Sequence, residues 1–263
     1  MNIELSTQNA TYILFPDGQP HVRLTNPPIV KGWRATVRHR IRSPHELFTL
    51  LQLGNAVRRS FGKIERLDIP YLMGARYDRL MLPGDSVDLQ VVADAINSLG
   101  AEHVRLLDVH SDVALQLIHN SENVTNEFLV RGRVRDGSVL VVPDAGAAKK
   151  AEQYSQWANL SGVVTCSKSR DLSTGKLKLQ VPDAGSLEGR DLVVIDDICD
   201  GGATFKAIAE QTPDAKSRTL IVTHGIFSQG TAMFDTLYDR VVTSDSFRND
   251  YNPKHVHCIP SII

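Results

Sequence analysis

Residues 192–205, LVVIDDICDGGATF, constrain the fold of this chain more than any other stretch. Leu192-Val193-Val194-Ile195 is apolar at consecutive positions, which suits a strand covered on both faces, as in a parallel sheet. Asp196 and Asp197 are expected at its carboxyl end. A short loop, Asp200-Gly201-Gly202-Ala203-Thr204, then leads to a helix expected from Phe205. Open α/β sheets bind ligands at the carboxyl ends of their strands. Small residues let successive backbone N–H groups close round a phosphate, and a helix N-terminus favours its charge. Adjacent acids before such a loop suit sugar hydroxyls or a magnesium ion. The plainer alternative is a strand, a Gly-rich turn and two solvated acids; the register of the acids with the loop favours a ligand.

The chain has 263 residues, enough for one large or two smaller domains, and its 42% hydrophobic content supports a sizeable core. A formal net charge of -1 supplies no basic field, so no nucleic-acid partner is expected. No apolar run approaches the roughly 18 residues of a membrane span, so no membrane partner is expected either. The N-terminal MNIELSTQNATYILF lacks a basic segment followed by an apolar one, so a secretory signal is not expected. The three cysteines, Cys166, Cys199 and Cys258, are widely spaced; they suggest a reducing, cytoplasmic setting and no zinc site. Cys199 reads as a small packing residue.

Strand-like runs alternate with helix-like segments, the order that builds parallel sheets. Residues 43–60 carry Leu47, Leu50, Leu51 and Val57 at near-helical spacing, with Ser43 as N-cap, Pro44 at the first helical position and Glu46 as a capping acid. A strand is expected over 65–73. A helix is expected over 86–99, with Val87, Val91, Ala95 and Ile96 on one face and Gly100 as its stop. Strands over 103–109 and 138–142 follow, then a turn at 143–146 and a helix from about Ala147. A short strand, 162–167, precedes a polar stretch, 168–185, expected to be a mobile loop. Beyond the 192 strand come a helix to about Gln211, a strand over 218–222, a helix over 230–238 and a last strand over 240–243. The strand-to-acidic-turn pattern recurs in both halves. The expected class is α/β, with two similar doubly wound parallel-sheet domains, 1–125 and 126–263.

Two further constellations bear on chemistry. In residues 70–111, PYLMGARYDRLMLPGDSVDLQVVADAINSLGAEHVRLLDVHS, Arg76 and Arg79 flank Asp78 straight after a strand. Two guanidiniums there either fork onto polyphosphate oxygens or form a surface ion-pair loop. Asp108-Val109-His110 ends another strand, where the imidazole is either a ligand or a structural group.

Taken together, this block is similar to the ribose-phosphate pyrophosphokinase pattern of strand, aromatic-x-R-Q-D-R, P-G-E, helix and D-L-H. The segment at 196–204 resembles the phosphoribosyl-pyrophosphate motif that this family shares with type I phosphoribosyltransferases. Phe15-Pro16-Asp17-Gly18-Gln19 looks like the family's adenine-site hairpin, F-x-D-G-E. Val142-Pro143-Asp144-Ala145-Gly146 looks like its S-P-D-A-G turn. Lys168-Ser169-Arg170 falls where the family has the K-x-R of its catalytic loop, and Thr223-His224-Gly225-Ile226-Phe227-Ser228 matches its late T-H-G-x-F-S. The motifs keep family order over about residues 12–247.

The resemblance implies domains of the type I phosphoribosyltransferase kind, with an ATP-side N-terminal domain and a ribose-phosphate-binding C-terminal one. It implies transfer of the β,γ-diphosphate of ATP to the anomeric hydroxyl of a ribose 5-phosphate group, with Mg2+ as cofactor. Lys168 and Arg170 are the implied catalytic cations. Phe15, Asp17, Gln19, Arg76, Tyr77, Asp78 and Arg79 are the implied ATP-binding residues, with Phe15 supplied to the adenine by a neighbouring subunit of a homo-oligomer, a dimer or larger. Asp196, Asp197, Asp200, Gly201, Gly202, Ala203 and Thr204 are the implied ribose-phosphate residues, and His110 and Asp144 the metal ligands. Tyr77 replaces the family's Gln, Gln19 its Glu, and D-G-G-A-T its D-T-x-G-T, so a hydroxyl beside the 5-phosphate is missing. The resemblance also implies shortening at both ends, before Phe15 and after Asp245. Three readings stay open: a kinase of ribose 5-phosphate, the same chemistry on a 5-substituted acceptor such as ADP-ribose, and an inactive regulatory homologue.

Overall fold

The structure, a computed structural model, describes residues 2–5, 10–27, 30–60, 62–170 and 177–263. They form two compact units, Met1–Thr125 with Ile263 and Asn126–Ile262.

In the first unit, β1 (Asn2–Leu5) precedes an antiparallel hairpin of β2 (Ala10–Leu14) and β3 (Pro20–Leu24). Then come β4 (Arg34–Arg38), α1 (Pro44–Arg59), β5 (Lys63–Ile69), α2 (Asp88–Asn97), β6 (His103–Leu107), α3 (Val113–Leu117) and β7 (Ser121–Val124). Five strands make a parallel sheet in the order β1-β4-β5-β6-β7. The order runs one way, so right-handed crossovers carry the helices to one face. One core forms there, where Leu50, Leu53 and Val57 of α1 and Leu89, Val92 and Ile96 of α2 meet Val37, Leu67, Ile69 and Leu106 of the sheet. Asp68, between Leu67 and Ile69, points away from that core. It is buried and accepts two bonds from Arg105, at 2.7 and 2.8 Å, and one from Arg66, at 3.2 Å. A buried carboxylate needs such partners to offset its lost hydration.

Helix α1 starts where the cap residues direct. Ser43 Oγ accepts from the Glu46 N–H at 3.3 Å, and the Glu46 carboxylate reaches back to the Arg42 N–H at 2.7 Å, one residue before the cap itself. Helix α2 buries Leu89, Val92, Ala93 and Ile96, while Val91 stays 61% exposed. The face expected from Val87, Val91 and Ala95 is thus corrected. The i, i+3, i+4, i+7 set that includes Leu89 covers more apolar area.

The second unit contains α4 (Glu127–Val130), β8 (Ser138–Val142), α5 (Ala145–Trp157), β9 (Leu160–Thr165), β10 (Ser167–Arg170), β11 (Leu177–Gln180), β12 (Asp191–Cys199), α6 (Ala203–Gln211), β13 (Ser217–Gly225), β14 (Arg240–Ser244) and β15 (His257–Ile259). Its six-stranded parallel sheet has the order β15-β14-β13-β12-β8-β9. The direction of winding reverses between β8 and β12. Cores accordingly lie on both faces: Val194, Leu220, Phe205 and Ile208 on one, Val193, Ile195, Ile221 and Tyr154 on the other. Leu192–Ile195 are each 1% exposed or less, and burying such side chains contributes about 1.5–3 kcal/mol apiece.

Several local expectations change. Strand β12 runs on through Asp196 and Asp197 to Cys199, because β13 continues beside it to Gly225. Helix α5 begins at Ala145 and α6 at Ala203, each two residues early. The stretch expected to be a loop from 168 carries β10 paired antiparallel with β11, and residues 171–176 lie outside the described residues. The helix expected over 230–238 is a 3-10 turn, Ala232–Thr236. A strand not anticipated, β15, follows Asp245 and pairs with β14.

Candidate active site

The reversal of winding places two strand ends side by side. Val141 of β8 is in register with Val194 of β12. Asp144 and Asp197 each stand three residues further on, at the carboxyl edge where a doubly wound sheet binds its ligand. Asp197 is buried, and its N–H donates to Asp196 Oδ1 at 3.0 Å. Burial, then the charge of Asp197, pushes the Asp196 carboxyl well above the usual carboxylate range, and the charge of Asp144 adds to this. The Cys166 thiol, pushed up to about 11 by burial, also feels Asp144. Burial likewise raises the Cys199 thiol, which suits packing rather than redox work.

Such mutually repelling acids fit a site that takes a hard cation or sugar hydroxyls. Among the described residues, no group of three or more His, Cys, Asp or Glu side chains is arranged to hold a metal ion. A magnesium ion that keeps most of its waters and binds substrate phosphates needs no such cage.

The loop after β12 is held from behind by residues 226–228. The N–H groups of Ile226 and Phe227 donate to Cys199 O at 2.9 and 3.1 Å, and Ser228 N–H donates to Asp200 O at 3.1 Å. Ser228 Oγ donates to Asp200 Oδ1 at 2.7 Å. Gly202 caps α6 with φ +82°, and a Cβ there would lie 2.8 Å from Phe234 Cζ, so glycine is required. Gly201 differs. Its φ is not positive, and a Cβ would meet only Gln229 Cγ at 3.6 Å and Ser228 Oγ at 3.8 Å. Ala203 and Thr204 open the first turn of α6, whose amides face the loop. Ser228 was not assigned a role from sequence; its signal is its place in the late T-H-G-x-F-S motif.

In the first unit, the segment after β5 and the segment after β6 stand at the carboxyl ends of adjacent strands. Arg76 and Tyr77 are exposed, and Tyr77 O accepts from the Leu89 N–H at 3.2 Å, which ties the segment to α2. Asp78 Oδ1 lies 3.7 Å from Arg79 Nε. His110 is exposed, three residues past β6. Phe15 and Gln19 close the hairpin, with Phe15 N–H donating to Gln19 O at 2.9 Å. Asp17 Oδ1 accepts from Gln19 N–H at 3.0 Å, and Gly18 takes φ +87°. Lys168 and Arg170 pair through the backbone with Leu179 and Leu177; their side chains lie outside the described residues.

No protein-family model matches the chain. A ribose-phosphate pyrophosphokinase from Aquifex aeolicus is 28% identical over 236 residues, 85% of this chain and 74% of the relative. One from Ureaplasma parvum is 27% identical over 254 residues, 90% of this chain and 75% of the relative. The chain resembles the ribose-phosphate pyrophosphokinases over most of its length. The fold agrees: the crystal structure of phosphoribosylpyrophosphate synthetase from Mycobacterium smegmatis superposes with a TM-score of 0.80 at 20% identity, covering 95% of this chain and 85% of that one. The likeness to these pyrophosphokinases spans both units, the arginine segment after β5 as well as the loop after β12.

Proposed function

We propose that the chain is an ATP-dependent ribose-phosphate diphosphokinase, transferring the β,γ-diphosphate of ATP to the anomeric hydroxyl of ribose 5-phosphate and leaving AMP. The observation that carries this is the acid pair of β12 running into a backbone phosphate loop, in a chain similar to ribose-phosphate pyrophosphokinases across both units. Asp196 and Asp197 orient the ribose diol, and the amides of Gly201, Gly202, Ala203 and Thr204 cradle the 5-phosphate, with Asp200 anchoring the loop. Arg76, Tyr77, Asp78 and Arg79 hold the ATP phosphates and sugar. Phe15, Asp17 and Gln19 meet the adenine. Lys168 and Arg170 supply positive charge as it is needed on the transferred group, because diphosphate transfer depends mainly on positioning and charge neutralisation. His110 and Asp144 would hold magnesium, which neutralises phosphate charge when bound. Separating nucleotide products after incubation with ATP, magnesium and ribose 5-phosphate tests the reading. AMP is expected; accumulation of ADP, or no acceptor-dependent AMP, would end it.

A second reading keeps the chemistry but takes a 5-substituted acceptor such as ADP-ribose. Gly201 supports it, because neither backbone conformation nor packing requires a glycine there. The space a hydroxyl-bearing side chain would fill beside the phosphate is free for a substituent.

The chain also reads as a homo-oligomer. Tyr12, Ile13 and Leu14 of β2 and Phe15 at the turn that follows are 38–64% exposed, a continuous apolar run of the kind that marks an interaction surface.

A further inference from the structure

We propose that Phe227, braced by Phe234, is a positioning residue that sets the shape of the phosphate loop; this rests on reading Asp200–Thr204 as that loop. Phe227 has φ +48°, a conformation that bulky L-residues avoid. Such a conformation persists only where its surroundings over-determine it. Here three features do so. The N–H groups of Ile226 and Phe227 both reach Cys199 O, at 2.9 and 3.1 Å, so the unusual backbone turns consecutive donors onto the end of β12. The Phe227 ring folds back over Gly225, where a Cβ would lie 2.4 Å from Phe227 Cε2. Its edge packs on Phe234 at 5.5 Å between centroids and on Tyr251 at 5.7 Å.

Phe234 completes the wedge. Its ring covers Gly202, the cap of α6, with Cζ 2.8 Å from where a Cβ would stand. The two rings therefore fill the space left by two glycines, Gly225 at the end of β13 and Gly202 in the loop after β12. Tyr251 Oη donates to Gly225 O at 2.5 Å, and Tyr238 Oη to Phe205 O at 2.8 Å, fixing the outer sides of the stack. The loop amides are aimed by Gly202 in its left-handed conformation, and that residue is held in place by Phe234, which leans on Phe227. Both rings are buried, and both act through the loop.

The test compares Phe227→Leu, Gly225→Ala and wild type. Gly225→Ala displaces the same ring from the other side, so the two variants should share one signature. The expected result is a rise of about tenfold or more in KM and Kd for ribose 5-phosphate, KM for ATP within about twofold, and faster amide exchange at residues 199–203. Val242→Ala, a core variant on the opposite face of β14, supplies a loss of Tm away from the Phe227–Phe234 core and should move neither acceptor KM nor loop exchange. The proposal is overturned if Phe227→Leu lowers Tm while acceptor KM and loop exchange match wild type, or if both KM values rise equally. If wild type neither binds ribose 5-phosphate nor forms AMP, the functional reading fails instead, and the exchange rates alone still decide whether Phe227 sets the loop.

Discussion

The Asp196 carboxyl resists ionisation because burial strips its water and Asp197 stands beside it. A proton affinity higher in the folded than in the unfolded chain means that folding is favoured while the group is protonated and loses ground as pH rises from the ordinary carboxylate range through the folded value. In magnesium-free buffer near neutral pH, Asp196→Asn should therefore melt above wild type, by about 2–4 °C for each kcal/mol of relieved repulsion. The gap should narrow as pH falls toward the ordinary carboxylate range; calorimetry across pH reads it, and a gap indifferent to pH would sink the explanation. Gly201 gives a second prediction at this scale. A Cβ there meets its neighbours only at ordinary contact distance, and a restored hydroxyl donor is worth about 1.5–3 kcal/mol against a charged phosphate oxygen. Gly201→Thr should shift the ratio of kcat/KM toward ribose 5-phosphate and away from ADP-ribose by roughly tenfold to a hundredfold. An unchanged ratio would leave the glycine without a part in acceptor choice.

Among the elements, the β10–β11 hairpin carries the two cations most exposed to test. Lys168 and Arg170 sit on β10 rather than on an irregular loop; polar composition hid this, although Leu179 of β11 is buried in the core and its carbonyl accepts from Gln211 of α6 at 3.0 Å. Charge that acts chiefly in the transition state lowers kcat when removed, typically by about 10²–10³-fold. Lys168→Ala and Arg170→Ala should each show such a loss while equilibrium binding of ATP stays within a few-fold. Near-normal turnover in both would reduce the hairpin to a connector. Helix α2 shows the opposite lesson. Its existence and its stop at Gly100 were legible, yet its buried face was not, because Val91 and Val92 are equally apolar and only the sheet beneath selects between them.

For the whole molecule, the exposed run Tyr12–Phe15 predicts self-association. Light scattering should return a dimer or larger species, and Leu14→Glu with Phe15→Glu should shift it toward monomer while lowering activity. A stable monomer with full activity would remove the claim. No helix among the described residues is long and apolar enough to cross a membrane.

Sequence alone determined the class of this protein. Strands covered on both faces carry apolar residues at consecutive positions, helices between them are amphipathic, and phosphate loops are small, and residues 192–205 display the first and last of these locally. The same locality made the arginine segment and the hairpin at Phe15 readable. What the tertiary structure alone decided is non-local. The order β15-β14-β13-β12-β8-β9 brings Asp144 level with Asp197, and no spacing along the chain encodes which strands become neighbours. It extended β12 past the acids because β13 lies alongside. It distinguished Gly202, which the Phe234 ring requires, from Gly201, which nothing requires. Two glycines in one loop look alike until the ring packed against one of them is in place.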